Sequence, residues 1–111
     1  MRTYAALFIF DDSLNEKALQ ELMEYVQEKI TAFNGIFHNN EVIGKRMLAS
    51  KVKKHDIGLV ARVNFDMLPK DIGAFQDGFK LNINILRVQI TQTKRKQADL
   101  KYSNKEEDNN G

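Results

Sequence analysis

The sequence predicts an α+β fold, a four-stranded antiparallel sheet with two helices on one of its faces. Three observations carry this. Apolar residues recur at every second position in separate stretches near residues 4–10, 59–67 and 85–92. One long apolar stripe at helical spacing follows the first of these stretches. A shorter helical pattern, opened by the chain's single proline, Pro69, lies between the last two.

The first strand, residues 4–10, places Tyr4, Ala6, Phe8 and Phe10 on one face and Ala5, Leu7 and Ile9 on the other. Apolar side chains on both faces suit a central strand with cover on each side. Asp11-Asp12-Ser13 reads as a turn, and Ser13 with Glu16 has the spacing of a capping box. Leu19, Leu22, Met23, Val26, Ile30 and Phe33 then form one apolar stripe, with Glu16, Glu21, Glu24 and Glu28 off it. Asn34-Gly35 stops this helix, with Gly35 suited to a left-handed cap. A second strand is expected over 36–43, running on beside a basic segment to about residue 50. Gly58 opens a third strand, 59–67, with Leu59, Ala61, Val63, Phe65 and Met67 inward and Val60, Arg62, Asn64 and Asp66 outward.

In the short helix after Pro69, Leu68, Ile72, Phe75 and Phe79 point inward, while Gly73 and Gly78 each weaken it by roughly 1 kcal/mol relative to Ala. The last strand, about 85–92, puts Leu86, Val88 and Ile90 inward and Ile85, Arg87 and Gln89 outward. The order β-α-β-β-α-β is the ferredoxin-like arrangement. It forms one domain over residues 1–93. The remaining 94–111 segment is basic and then acidic, ends on Glu106-Glu107-Asp108-Asn109-Asn110-Gly111, and has too little apolar surface to offset its ordering entropy, so disorder is expected.

A chain of 111 residues supports a single core. The absence of cysteine excludes disulfides, thiolate nucleophiles and Cys-based zinc sites, and it fits a reducing compartment. The run 4–10 is too short to span a bilayer, and Asp11-Asp12 follows it where a signal-peptide cleavage site would lie. With folded structure starting at residue 2, no transit segment is expected, and the chain is expected to work in the compartment that makes it.

A net charge of +2 conceals segregation. Residues 1–44 carry a net of −4, residues 45–62 a net of +5, and residues 94–105 a net of +4. The densest stretch is 44–55, in which Lys45, Arg46, Lys51, Lys53 and Lys54 stand without an acid and His55 closes the run. Such a stretch is suited to an anionic partner, and nucleic acid is the most abundant polymeric anion in a cell. On composition alone it reads equally well as a solvated surface.

Several segments together resemble the bacterial small-subunit ribosomal protein S-six family. They are Met1-Arg2-Thr3-Tyr4, Gly44-Lys45-Arg46 with Leu48-Ala49, Lys53-Lys54-His55 before Gly58, and Leu86-Arg87-Val88. The resemblance covers residues 1 to about 95. It implies a ferredoxin-like fold without catalytic activity or cofactor, working in the cytoplasm in a bacterial or organelle-encoded ribosome. It also implies binding to the central domain of small-subunit rRNA as a heterodimer with ribosomal protein S-eighteen. Ser50-Lys51 stands where the family often has an aromatic residue and a proline.

The resemblance turns the basic run into a set of candidate RNA contacts: Lys45, Arg46, Lys51, Lys53, Lys54 and His55. They would neutralise phosphates and release counterions, which fixes position more than it reads sequence. Arg2 and Arg87, on strands expected to pair, are candidates for a bidentate phosphate clamp. The helix-free sheet face would carry Ala5, Leu7, Ile9, Val60 and Ile85, with Arg62 beside them, as the face for the partner protein.

His38 and His55 lack the cysteine or helical i, i+4 partner that a metal site needs. An RNA-recognition-motif reading requires aromatics on the open face of the first and third strands, and Val60, Arg62 and Asn64 supply none. The remaining alternative is a ferredoxin-like small-ligand sensor or an acyl-phosphate-type hydrolase. An enzyme of that kind needs a phosphate-cradling glycine loop or converging titratable groups, and the sequence displays neither. No membrane partner or small-molecule substrate is expected.

Overall fold

Six elements follow one another as β1 (Arg2–Asp11), α1 (Glu16–Ala32), β2 (Ile36–Val52), β3 (His55–Met67), α2 (Pro69–Asp77) and β4 (Ile85–Gln92). The structure is a computed structural model that describes residues 1–93. The expected polar tail, 94–111, lies outside the described residues. All strand pairs are antiparallel and the sheet order is β2-β3-β1-β4, so the ferredoxin-like α+β fold read from the sequence is the fold found. No helix among the described residues is long and apolar enough to cross a membrane.

The core forms where alternation in the strands meets the stripe of α1. Tyr4, Ala6, Phe8 and Phe10 of β1 and Leu59, Ala61, Val63, Phe65 and Met67 of β3 share one face. Leu22, Met23, Val26 and Ile30 of α1 cover it together with Phe75 and Phe79. Phe79 sits edge-on to Phe8 at 5.2 Å and to Phe75 at 5.0 Å, the T-shaped geometry that ring quadrupoles favour. Burial of each such side chain stabilises the fold by about 1.5–3 kcal/mol.

Several local expectations are corrected. Asn15, not Ser13, caps α1: its side-chain oxygen accepts from the Ala18 N–H at 2.8 Å. Ser13 is instead held in the preceding turn, where its N–H and hydroxyl both donate to Asp11 Oδ1 at 3.0 and 2.8 Å. These bonds hold the Asp11 carboxyl below the usual carboxylate range, with His55 adding a smaller electrostatic pull. Asn34 takes the left-handed position after α1, with φ 61°. Gly35 serves close packing, since a Cβ there would stand 2.7 Å from the Asp66 carbonyl oxygen. Leu68 precedes α2 as its N-cap and is exposed, because the first inward turn of that helix begins after Pro69.

The face assignment of β4 shifts at its start. Ile9 pairs with Arg87 but Phe10 pairs with Ile85, so β4 carries one extra residue at a bulge. The bulge turns Ile85 into the core, where it is 2% exposed, and buries Leu86 as well. Ile85 therefore belongs to the interior and is withdrawn from the proposed partner face.

Candidate nucleic-acid and partner interface

The basic segment is a β-ribbon. β2 continues through Ser50-Lys51 to Val52, and β3 begins at His55, earlier than the Gly58 start read from the sequence. Val52 pairs with His55, leaving Lys53 and Lys54 as a two-residue turn with φ of 49° and 71°. This is the backbone of the primed hairpin turns, which Asn-Gly or Gly-Gly adopt with least strain. Two lysines here hold left-handed conformations that cost about 1–2 kcal/mol per residue. Residues kept in such conformations cluster at functional sites.

The remaining cations line the ribbon. Lys45 and Arg46 are adjacent and point to opposite faces, opposite Leu59 and Gly58 respectively. Arg46 Nη1 donates to the Lys45 carbonyl at 2.8 Å. Lys51 lies 4.0 Å from Asp56 with both side chains mostly exposed, a geometry that water screens. Among the described residues, Lys45, Arg46, Lys53, Lys54 and Arg87 form no ion pair, so their charges face solvent uncompensated. His55 Nδ1 stands 3.9 Å from Asp12 Oδ1, so the foot of the turn leans on the end of β1. Asp11, Asp12 and His55 bring three potential ligand atoms within 4.8 Å of one another. One Asp11 oxygen in that cluster is already engaged twice by Ser13.

Arg2 and Arg87 do not converge into a clamp. β1 and β4 do pair, but Arg2 lies near Gln92, to which its Nη1 donates at 3.3 Å, whereas Arg87 faces Ile9. The seven positions between Arg2 and Ile9 span roughly 24 Å of strand, and the two arginines also fall on opposite faces.

The helix-free face has an apolar centre made by Ala5, Leu7, Ile9 and Val60. Leu7 is the most exposed of these, while Val60 is nearly covered by its neighbours. Ile9 and Leu48 close over Gly58, where a Cβ would collide with the Ile9 side chain. Polar pairs edge this centre: Arg62 with Glu41 at 3.8 Å, and Asn64 Nδ2 donating to Asn39 Oδ1 at 2.6 Å. Tyr4, Phe8 and Phe65 all lie in the core, so this face presents no aromatic platform for bases.

Sequence reasoning missed two groups. Asp66, expected outward, is 1% exposed; it accepts from the Thr3 hydroxyl at 2.7 Å and lies 3.0 Å from His38 Nε2. Thr3 and His38 come from other strands, and no local pattern signals that meeting. Lys80, after α2, shares a cleft with Lys53 and Arg87 although it stands outside the basic run. Only the path of the hairpin over the end of β1 brings these three together.

The Ribosomal protein S6 family profile matches residues 3–92. The small ribosomal subunit protein bS6 of Helicobacter acinonychis (strain Sheeba) is 29% identical over 107 residues, spanning 96% of this chain and 69% of that protein. The bS6 of Arthrobacter sp. (strain FB24) is 29% identical over 92 residues, spanning 83% and 91%. The crystal structure of 30S ribosomal protein S6 from Thermotoga maritima superposes with a TM-score of 0.76 over 83% of this chain and 87% of that one. At 22% identity that superposition speaks for the fold.

Proposed function

The chain belongs to the ribosomal protein S6 family and is a structural protein of the small ribosomal subunit, and from that premise we propose how it is held there. The β2–β3 hairpin grips the phosphates of the central domain of small-subunit rRNA, and the helix-free sheet face receives ribosomal protein S-eighteen. One observation carries the RNA half: an extended ribbon presents Lys45, Arg46, Lys51, Lys53 and Lys54, with two lysines held at a costly turn.

Phosphate neutralisation is the mechanism. Each cation that meets a phosphate releases condensed counterions, so log affinity falls with log salt at about 0.7–0.9 per contact. His55 lies at the foot of the tip, 3.9 Å from Asp12, and Arg87 adds charge on the edge strand β4 beside Ile9. Arg2 acts alone at the far end of β1. Ala5, Leu7, Ile9 and Val60, with Arg62 at their edge, offer the S-eighteen protein an apolar centre with a polar rim, the usual anatomy of a protein interface.

The test is charge reversal at Lys51, Lys53 and Lys54 to Glu, measured by gel shift on a central-domain transcript with S-eighteen present. Most of the affinity is expected to be lost with the far-ultraviolet circular dichroism unchanged. Unchanged affinity at moderate salt would remove the hairpin from the interface.

A further inference from the structure

The end of α2, the opening of β4 and the tip of the β2–β3 hairpin enclose a cleft of about 360 Å³. Three cations from three different segments line it: Lys53, Lys80 and Arg87. Lys53 and Arg87 have no acidic partner among the described residues, and Lys80 has only an exposed pairing with Asp77 at 2.9 Å, which water screens. Its apolar wall includes Leu86 and Val88, and the Val88 carbonyl accepts from Gln76 Nε2 at 3.1 Å, fixing that wall to α2. In the adjoining loop Leu81 and Ile83 are 94% and 85% exposed, aliphatic surface that the fold itself does not use.

Charge and shape together define the ligand. Three like charges around one concavity repel each other until an anion enters, and the apolar wall asks that the anion carry a body as well. Lys53 belongs both to this cleft and to the hairpin tip, so the positive charge of the tip extends to the cleft. A polyanionic strand following that charge arrives here with a repeating charge and an unstacked ring.

We propose that the Lys53–Lys80–Arg87 cleft holds one unstacked nucleotide of the bound RNA, its phosphate between the three cations and its ribose or base against Leu86 and Val88. This rests on the RNA-binding reading above and adds to it a residue, Lys80, and a subsite. Leu81 and Ile83 give the neighbouring base an apolar surface outside the cleft.

The experiment compares Lys80→Gln with the wild-type full chain, each with the S-eighteen protein, binding a central-domain rRNA transcript over a range of salt. Lys80→Gln is expected to weaken binding roughly threefold to tenfold and to reduce the salt slope by about 0.7–0.9. Lys17→Gln, in the first turn of α1, serves as the control and is expected to leave both unchanged. In the wild type, 4-thiouridine placed in the transcript is expected to crosslink within residues 79–88.

Wild-type affinity and slope in Lys80→Gln, alongside weakened binding by Lys53→Gln plus Lys54→Gln, overturn the cleft and leave the hairpin reading standing. No binding by the wild type overturns both. Weakened S-eighteen association with an unchanged salt slope assigns the cleft to a peptide carboxylate and overturns the nucleotide.

Discussion

Along β1 every second side chain from Tyr4 to Phe10 is buried, whereas none of the seventeen residues of β2 is. The two strands differ in neighbours: β1 lies between β3 and β4 beneath the helices, while β2 is an edge strand that runs out into a hairpin. The contrast teaches how this small domain divides its work. Apolar burial in the body supplies the stability, and the hairpin, having little to bury, is free to hold uncompensated charge. A basic run of this density inside the sheet would desolvate its cations at great cost.

The largest expected effect comes from breaking the body. Phe8→Ala removes a ring that stacks on Phe10 and meets Phe79 edge-on, and it is expected to cost about 3–5 kcal/mol in urea unfolding. A cost below 1 kcal/mol would show that burial in the sheet body is not what stabilises the domain. The hairpin responds in the opposite sense. Lys54→Gly relieves a left-handed residue at φ 71° and is expected to stabilise the fold by about 1 kcal/mol while weakening rRNA binding. A variant that is both less stable and equally active would show that the strain serves something else.

The smallest effect lies at the junction of the two regions. The Asp11 carboxyl is held below its usual range by Ser13, so its contribution is fully present above the unfolded value near pH 4. It is lost as pH falls through the depressed folded value. Asp11→Asn is expected to be slightly less stable than wild type at neutral pH, with the difference closing below about pH 4 in a thermal melt. A gap that persisted in acid would point to packing in place of charge.

Legibility followed locality. The alternation of β1 and the stripe from Leu19 to Phe33 were readable because each repeats within a few residues of itself. The bulge that sends Ile85 inward was hidden, since it arises from how β4 meets β1 and the residues there are apolar in either register. Gly35 looked like a left-handed cap because glycine tolerates that conformation; its actual duty, making room for the Asp66 carbonyl, exists only once β3 has come alongside. Within the candidate site, the lysines of the hairpin were legible as a run of charge, and Lys80 was not.

The sequence by itself determined the order of elements, the buried faces of β1, α1 and β3 and the concentration of positive charge between Gly44 and His55, because periodicity and composition are properties of neighbouring residues. Tertiary structure alone decided that Arg2 and Arg87 stand far apart, that Asp66 is buried against Thr3 and His38, and that Lys53 meets Lys80 and Arg87 at one cleft. The reason is physical: those relations depend on strand register and on the path of a hairpin across the sheet, which only long-range pairing sets.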